Sequence, residues 1–508
     1  MLTRSNIVRP VLLSLLAFVA GARVAASQTA APPPQTSAPF DVKHYDVSLR
    51  LDFKERALAG AAEVEFVSGR ESLREVEFEI GELEFESVRE GGDALTFKAE
   101  GGRLSIQLAR PAARGEARRL RIVYRGRPTR GVRFFADHVY TVYNTRAWLP
   151  CRFHPGDKAT INLRLVAPSD MKVVANGRLV AQRGTGVGLT EHAWRQATPI
   201  PAYIFGFAAG RFREVTRTSG GVRQRVLFRD KYDDGEARRV FAETHDAARF
   251  FAERAGFSLP GAAYTQVLAE GRVEQEMSGF TVIRENYGAQ VLKEPRDIWL
   301  GVHELSHEWW GNSLTCADWS HFWLNEGIAT FMADAYLGER FGRDEYDRQI
   351  QLSRESYARG RAAGRDRALA YRHAIEERVA GGPAVYDKGA LVLHLLRFEI
   401  GERAFWSGLR RYTRANEGRS VTTDNLQRAM ERAARRSLSE FFDRWVYGAQ
   451  APALAASHRV EGGQVVLTVE QRQKELWPVR LRVAVETSRG RAARVVVSRE
   501  RRRELRLP

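Results

Sequence analysis

The sequence of 508 residues predicts a multidomain α+β protein in which a β-sandwich comes first, a mainly helical domain follows and a small β domain ends the chain. Three changes of pattern predict this order. Short alternating segments run from residue 45 to about 215, the apolar period becomes helical from 233 to about 447, and alternation returns over 460–507. The length also exceeds the usual capacity of one hydrophobic core.

The first 27 residues have the pattern of a secretory signal peptide. Arg4 and Arg9 precede an apolar run from Val11 to Ala20, and small residues at 25–27 provide a cleavage site. The run is too short for a comfortable membrane span. We therefore expect an exported protein, periplasmic or secreted, without stable membrane insertion after signal removal. Residues 28–40, rich in Ala, Pro, Gln, Ser and Thr, predict a disordered leader.

The three folded domains follow the leader. Their predicted limits are 41–215 for the amino-terminal β domain, 216–450 for the helical domain and 451–508 for the small β domain. Alternating or continuous apolar runs predict strands at Tyr45–Leu51, Ala62–Phe66, Gln464–Val469, Val479–Val485 and Ala493–Val497. The pattern over Val240–Ala255 predicts a helix.

The composition, with 44% hydrophobic and 28% charged residues, is typical of a soluble globular protein. A formal net charge of +17 does not predict a nucleic-acid partner, because the arginines are scattered through every predicted element instead of forming one basic tract. Cys151 and Cys316 are the two cysteines. Their spacing leaves open whether they pair after export or stay as free buried thiols.

The most specific pattern is HELSH at residues 303–307, which eighteen residues separate from Glu326. Side chains four positions apart share one helix face, so His303 and His307 can bind one metal ion together. Glu304 lies at the edge of that face, where its carboxylate can act as a general base without binding the metal. Glu326 lies near the predicted start of a second helix. Two His and one Glu leave a fourth position open, which predicts one catalytic Zn²⁺.

Two further residues have plausible chemistry, each with a structural alternative. Glu276 precedes the strand-like Thr281–Ile283 and is suited to binding a substrate cation, but such an acid is also typical of a solvated strand edge. Tyr386 precedes the apolar helix predicted over Leu391–Phe398. Its phenol is suited to stabilising an oxyanion, but a Tyr at a helix start is usually a packing residue. The residues alone leave both alternatives open.

Together with the metal motif, these segments resemble the aminopeptidase N family of gluzincin zinc metallopeptidases, which includes the leukotriene-hydrolase type. The matching segments follow the family's order from about residue 41 to 450. They are TRAWLPCRFHPGDKATINLRLVAP, TPIPAYIFGFAAGRF, QEMSGF, HELSH, WLNEGIA and VYDKGA. The resemblance implies a thermolysin-like catalytic domain at 216–450 and peptide substrates with a free amino terminus.

The resemblance also implies a role for each matching residue. At the family's chemical positions stand the zinc ligands His303, His307 and Glu326, the general base Glu304 and the catalytic tyrosine Tyr386. Glu276 matches the glutamate that holds the free amine of a substrate, and Gly279 belongs to the same substrate-binding segment.

The sequence departs from the family pattern at three places. Residues 273–275 (Val-Glu-Gln) replace the Gly-Ala-Met of the substrate-binding motif, and Met277 replaces its Asn. Thr141 stands near a position where many members have a Gln or Glu that assists amine binding. The resemblance therefore implies that Glu276 holds the amine alone or with Glu274. The large helical carboxy-terminal domain of many relatives is not recognised in the sequence, so we expect more open access to the site.

Residues and resemblance together predict a zinc-dependent aminopeptidase in which zinc and Glu304 activate water and Tyr386 stabilises the oxyanion. A thermolysin-type endopeptidase is one alternative, which needs a cleft open at both ends and no amine anchor. A leukotriene-hydrolase-like epoxide hydrolase is another, which needs a lipid channel. A non-catalytic scaffold is the third, but binding alone does not require Glu304 beside the metal.

Overall fold

The computed structural model describes residues 38–507 except Pro383, Gln450 and residues 488–489. The predicted signal peptide, and most of the predicted leader at 28–40, lie outside the described residues. The described chain divides into two compact units, of which one ends at Tyr447 and the other begins at Gly448. Within residues 38–507, as far as they are described, no helix combines the length and apolar character that a bilayer span needs.

The amino-terminal part of the larger unit consists of strands. They are β1 (Phe40–Asp52), β2 (Ala57–Ser68), β3 (Leu73–Glu79), β4 (Leu83–Glu90), β5 (Asp93–Ala94), β6 (Phe97–Glu100), β7 (Arg103–Ala112), β8 (Ala117–Gly126), β9 (Val132–Phe134), β10 (His138–Thr141), β11 (Lys158–Pro168), β12 (Lys172–Ala175), β13 (Arg178–Gly186), β14 (Leu189–Pro201) and β15 (Phe207–Gly210). The sheet orders are β13-β14-β11-β1-β2-β8-β4-β5, β12-β15-β10-β9 and β3-β7-β6.

The burial pattern of β1 explains why this region forms sheets. Tyr45, Val47 and Leu49 are buried on one face, while the residues between them are more exposed. A bulge between Val42 and His44 adds one residue and keeps Val42 on the buried face. Side chains from all three sheets share one hydrophobic core. The predicted β-rich amino-terminal domain is therefore confirmed, and its two example strands lie within β1 and β2.

A five-stranded sheet separates this β core from a second, helical core. Its strands, in the order β16-β17-β18-β20-β19, are β16 (Arg213–Ser219), β17 (Val222–Phe228), β18 (Ala263–Ala269), β19 (Gln275–Met277) and β20 (Phe280–Arg284). Val267 and Val282 face the β core, whereas Leu268 and Ile283 face the helical core. The predicted domain limit at residue 215 falls inside β16. One sheet thus contributes to both cores of the same compact unit.

Helices dominate from Asp234 to Trp445. They are α1 (Asp234–Val240), α2 (Thr244–Ala255), α3 (Asn286–Lys293), α4 (Trp299–Ser306), α5 (Trp323–Phe341), α6 (Arg343–Ala362), α7 (Glu377–Ala380), α8 (Gly389–Ile400), α9 (Glu402–Ala415), α10 (Thr423–Ala434) and α11 (Ser439–Trp445). Two short strands, β21 (Thr315–Cys316) and β22 (Ser420–Val421), pair in parallel. A π-helical turn at Ala384–Lys388 leads into α8.

One predicted helix is wrong in extent. The segment Val240–Ala255 is not one helix, because α1 ends at Val240 and α2 begins at Thr244. The buried side chain of Gln224 donates a hydrogen bond to the carbonyl oxygen of Phe241, as does the hydroxyl of Thr244. These bonds replace the helical partners of that carbonyl, so the chain turns there.

The helices that surround the sequence motifs approach one another through small residues. Gly327 on α5 and Gly389 on α8 touch at their backbones, and an ideal Cβ on Gly389 would lie 2.7 Å from the Cα of Gly327. The hydroxyl of Ser306 on α4 donates to the carbonyl oxygen of Ala329 on α5 at 3.4 Å. Cys316, at the start of this region, and Cys151 are both buried free thiols.

The smaller unit, from Gly448 onward, consists of two small sheets. Its strands are β23 (Leu454–Glu461), β24 (Gln464–Gln471), β25 (Val479–Thr487), β26 (Gly490–Ser498) and β27 (Arg502–Leu507). The sheet orders are β23-β24-β27 and β25-β26. Leu467, Val469, Val483 and Val485 belong to its hydrophobic core. The predicted small β domain and its three strands are confirmed.

We expect Gly389→Ala to destabilise the protein, because the new methyl group would press against the backbone of α5, which cannot rotate away. Overpacking of this kind costs about 1–3 kcal/mol. The thermal unfolding midpoint is the measurement. Gly360→Ala on α6 is the matched control, since a Cβ there meets no atom within 4 Å. The control should gain about 0.5–1 kcal/mol from lower chain entropy. Equal midpoints for the two variants would contradict the close approach.

Candidate zinc centre and substrate cavity

The end of α4 positions two metal-ligand candidates. His303 lies inside the helix and His307 directly follows its last residue. Their Nε2 atoms are 3.1 Å apart. The chain then turns at Gly311, whose φ of +135° is a conformation that favours glycine. A Cβ on Gly311 would lie 2.7 Å from Nδ1 of His307, so the glycine makes room for that imidazole.

The orientation of His307 is fixed by the backbone. Its Nδ1 lies 3.0 Å from the carbonyl oxygen of Trp310, which can only accept a hydrogen bond. Nδ1 therefore carries a proton whether the ring is charged or neutral, and Nε2 faces the site.

The third ligand candidate comes from the first turn of α5. Oε2 of Glu326 lies 3.7 Å from Nε2 of His303 and 3.5 Å from Nε2 of His307. Asn325 fixes the start of this helix, because its side chain accepts from the backbone N–H of Cys316 and donates to the hydroxyl of Tyr203. The motif and the helix predicted from the sequence are therefore brought together in space.

These three side chains fit a zinc ion. They form a buried cluster whose ligand atoms all lie within 4.8 Å of one another. In a tetrahedral zinc site with bonds of about 2.0–2.2 Å, ligand atoms are separated by about 3.3–3.5 Å. The spacings between Nε2 of His303, Nε2 of His307 and Oε2 of Glu326 run from 3.1 to 3.7 Å. The set of two imidazoles and one carboxylate leaves room for a fourth ligand.

Burial and the neighbouring charges set the protonation of the three ligand candidates. Burial lowers the pKa of His303 to about 4, so its imidazole is neutral at physiological pH. Burial alone would raise the pKa of Glu326, but His307 and His303 outweigh it and lower the pKa to about 2. Conversely, the carboxylate of Glu326 overcomes the effect of burial on His307 and raises its pKa to about 10. The negative charge of ionised Glu326 thus favours a cation between the three side chains, and a metal ion is such a cation.

Glu304 points into the same buried space. Burial raises the pKa of its carboxyl group well above the ordinary value, His307 opposes that effect, and the charges of Glu276 and Glu326 add to it. In the described part of the chain, Oε2 of Glu304 has no hydrogen-bond partner. A carboxylate with a raised pKa and a free oxygen is suited to accepting a proton from water.

Glu276 lies on β19, the edge strand of the five-stranded sheet. Its side chain is buried at 8% exposure and lines the cavity, so the alternative of a solvated edge carboxylate is wrong. Nε2 of Gln275 lies 3.3 Å from Oε2 of Glu276 and orients the carboxylate. Burial raises the pKa of Glu276 to about 7. Glu274 also lines the cavity, where it forms an ion pair with Arg284.

Two departures from the family pattern contact each other. The hydroxyl of Thr141 lies 3.9 Å from the sulfur of Met277, and it accepts a hydrogen bond from the backbone N–H of Phe207. Both side chains are buried. Thr141 is therefore a packing residue of the β core, and its hydroxyl is already used by the backbone of Phe207.

Gly279 contacts the residue after His307, and its predicted substrate-binding role stays a prediction. Its backbone N–H donates to Oε1 of the buried Glu308 at 2.9 Å, and it is not among the described residues that line the cavity. Its φ of +87° requires glycine for the turn between β19 and β20. Gly279 therefore connects the edge strand to Glu308, the residue after His307.

Tyr386 lies on the π-helical turn before α8 and faces the metal-ligand candidates. Its ring centroid is 6.2 Å from that of His303. The next two side chains fix the turn: Asp387 accepts from Ser356, and Lys388 donates to the carbonyl oxygen of Arg367. The charge of Glu326 and burial raise the pKa of Tyr386, so its phenol stays protonated and can donate a hydrogen bond.

One cavity of about 520 Å³ is lined by the zinc-ligand candidates, by Glu304 and Tyr386, and by Glu274 and Glu276. The sequence argument missed its aromatic wall, which includes Tyr143, Phe153, Tyr203, Trp299, Trp319 and Phe322. Trp299 alone had a local signal, since it lies four residues before His303 and so on the same face of α4. Trp319 and Phe322 lie in the short turn directly before α5, whereas Tyr143, Phe153 and Tyr203 come from three separate segments.

Comparison with protein families agrees with this geometry. Residues 41–204 match the model of the peptidase M1 N-terminal domain, and residues 290–445 match the model of the peptidase family M1 domain. The two ranges together cover more than half of the chain and include the predicted zinc ligands. The chain belongs to peptidase family M1.

Relatives within family M1 are distant and longer. Aminopeptidase M1 of Arabidopsis thaliana is 26% identical over 64% of this chain, and probable aminopeptidase 1 of Saccharolobus solfataricus is 23% identical over 80%. The chain spans 38% and 53% of those two proteins. The crystal structure of an M1 zinc metallopeptidase from Deinococcus radiodurans has a TM-score of 0.66 and 25% identity, covering 82% of this chain and 95% of that one. The resemblance to zinc metallopeptidases of the aminopeptidase N type is confirmed.

We expect this M1 family member to bind one zinc ion per chain. His303→Ala, His307→Ala or Glu326→Ala should each remove most of the metal, because each deletes one of three protein ligands. Glu304→Gln is the matched control, which should keep the metal and lose turnover because it deletes only the base. Metal analysis of the four purified variants is the measurement. Stoichiometric zinc and wild-type rates in His303→Ala would contradict the assignment.

Proposed function

We propose that the protein is a zinc-dependent aminopeptidase, which removes the first residue from peptides with a free amino terminus. The observation that carries the proposal is the position of Glu276. This buried carboxylate shares one cavity with the three zinc-ligand candidates and with Glu304. An acid beside a metal centre explains why the substrate needs a free amino terminus and why only its first residue is removed. The acid anchors the ammonium group at a fixed distance from the reacting bond.

His303, His307 and Glu326 would hold the metal. When bound, zinc supplies Lewis-acid chemistry, polarising the substrate carbonyl and lowering the pKa of water. Glu304 accepts the proton of the attacking water on its free Oε2 and later delivers it to the leaving amine. Its raised pKa brings its proton affinity closer to what both transfers need.

Tyr386 donates its phenolic hydrogen to the oxygen of the carbonyl under attack. The negative charge that develops on that oxygen strengthens the hydrogen bond in the transition state. The neighbouring Glu326 keeps the phenol protonated, so the donor is present throughout the physiological pH range. Asp387 and Lys388 bind α6 and the preceding loop, and they hold the phenol in place without further rearrangement.

Glu276 binds the free amine of the substrate. Ionised Glu276 and an ammonium group neutralise each other in a cavity from which much of the water is excluded. Because Glu276 lies on a strand and Glu304 on a helix, both fixed by packing, only the first peptide bond reaches the catalytic groups. An endopeptidase would have no use for an anchor at this position.

Relatives support this proposal. Two relatives are named as aminopeptidases, and a related M1 zinc metallopeptidase from Deinococcus radiodurans, with a TM-score of 0.66, is described with a bound Tyr-Ser-Ala substrate. We further propose that the protein acts after export. The support for export is the signal-like pattern of the first 27 residues.

We expect Tyr386→Phe to lower kcat by about 10²–10³-fold with little change in KM or zinc content, since the lost hydrogen bond strengthens only as charge develops. Steady-state kinetics on a free-amine peptide and metal analysis are the measurements. Tyr346→Phe is the matched control, because its buried hydroxyl bonds to His394 away from the cavity. If Tyr386→Phe kept the wild-type kcat, Tyr386 would be a packing residue.

We expect the wild type to cleave free-amine peptides one residue at a time and to reject acetylated ones. Glu276→Ala should lose activity on free-amine peptides far more than on acetylated ones, since an unpaired charge left by such a change costs about 2–5 kcal/mol. Mass spectrometry of the digestion products distinguishes stepwise from internal cleavage.

Glu274→Gln tests whether the amine has a second anchor. Its ion pair with Arg284 already offsets its charge, so this variant should lose much less activity than Glu276→Ala. Equal losses would mean that both acids bind the amine. Internal cleavage of acetylated peptides by the wild type, at rates similar to those for free peptides, would favour a thermolysin-type endopeptidase instead.

A further inference from the structure

Different contacts orient the imidazole rings of His303 and His307, the two histidines of the zinc centre. A metal-binding His usually donates its second ring N–H to a carboxylate or a carbonyl, which fixes the ring. His307 follows this rule through the carbonyl oxygen of Trp310. Nδ1 of His303 is buried and has no hydrogen-bond partner within the described residues. Something other than a hydrogen bond must therefore orient the imidazole of His303.

The ring of Trp299 lies parallel to this imidazole. The centroids of Trp299 and His303 are 4.8 Å apart, and the planes differ by 20°. Trp299 begins α4 and lies one turn before His303, so both side chains project from the same helix face. Such a stack limits rotation of the imidazole about χ2, because the ring would have to lose contact with the indole.

The indole itself is fixed by the helix that carries Glu326. Nε1 of Trp299 donates to Oδ1 of Asp334 on α5 at 2.8 Å. Asp334 is buried at 1% exposure. Burial raises its pKa to about 8, so at neutral pH its carboxyl group is mostly neutral and an Asn side chain is a close substitute. The bond links the two helices that supply the zinc ligands.

We propose that Asp334 and Trp299 form an indole clamp, in which Asp334 holds the indole and the indole holds the imidazole of His303 in the orientation that binds zinc. The inference rests on the proposed zinc function and adds two positioning residues to it. Trp299 has no lone pair to offer the metal, and Asp334 bonds to the indole, so both act through His303. The clamp replaces the hydrogen bond that Nδ1 of His303 lacks.

The test measures zinc affinity and zinc release in the full-length protein. A chromogenic chelator competes for zinc at equilibrium, and excess chelator draws zinc from the loaded protein over time. Trp299→Leu removes the stacked ring and should weaken zinc binding by about 10-fold or more, within the range for groups that support metal ligands. Trp299→Phe keeps a stacked ring without the indole N–H, and it should give a smaller loss with faster zinc release.

Asp334 variants test the second step. Asp334→Asn keeps an oxygen that accepts from the indole and should stay within about twofold of wild type, whereas Asp334→Ala should weaken zinc binding about as much as Trp299→Phe. Because the two residues act in series, the double variant Trp299→Phe with Asp334→Ala should be no weaker than the worse single variant. Additive losses would contradict a clamp that acts through one imidazole.

Trp406→Phe is the matched control. Trp406 is also half-buried and also donates its indole N–H to a carboxylate, that of Glu402 at 3.0 Å, but it contacts no zinc-ligand candidate. Its replacement should leave zinc affinity unchanged. Thermal unfolding of each variant without zinc checks that the fold is intact. Should Asp334→Ala fail to fold, the comparison of Trp299→Phe with Trp406→Phe still decides the inference.

Three outcomes have distinct meanings. Weaker zinc binding in the Trp299 variants, with wild-type affinity in Trp406→Phe, supports the clamp. Wild-type zinc affinity in Trp299→Leu with a raised KM would overturn it and make Trp299 a wall of the substrate cavity only. A wild-type protein that binds no zinc would overturn the proposed function itself, and the clamp with it.

Discussion

The site depends on one geometric constraint, which is that three side chains from two helices have to bring their ligand atoms within 3.1–3.7 Å of one another. Two of the atoms come from α4 and the residue that follows it, and the third comes from α5, so the helix crossing must be held to within a fraction of an ångström. Small residues make this possible. Gly327 lets α8 touch α5 beside Glu326, and Gly311 lets the chain fold back over the ring of His307. Close packing there is a condition for metal geometry as much as for stability.

A second constraint on the site is electrostatic. Glu276, Glu304 and Glu326 are all buried around one cavity, and buried carboxylates are costly unless cations neutralise them. The imidazole of His307 supplies part of that charge, as the opposed shifts of its pKa and that of Glu326 show. A divalent ion between the zinc ligands and an ammonium group at Glu276 would supply the rest. The buried negative charges therefore favour the two cations proposed for this cavity.

The sequence predicted the parts of the site that follow from helical periodicity. His303 and His307 share a face because they are four residues apart, and Glu326 begins a helix whose apolar spacing is regular. The sequence could not predict burial of Glu276, because an edge strand is usually solvated, whereas β19 lies in contact with α4. The sequence could not predict the break after Val240 either. The side chain that donates to the carbonyl oxygen of Phe241 there is Gln224, which lies on β17, far from the helix in sequence.

Three residues that depart from the expected family motif make specific contacts beside the cavity. Met277 and Thr141 depart from the pattern expected of the family, and the hydroxyl of Thr141 lies 3.9 Å from the sulfur of Met277. Gln275 turns its side chain toward Glu276 and the backbone of Tyr143. The side chain of Gln275 thus bridges the edge strand and the loop that carries Tyr143. The amine anchor that we propose therefore lies on the edge strand, where Gln275 orients the buried carboxylate of Glu276.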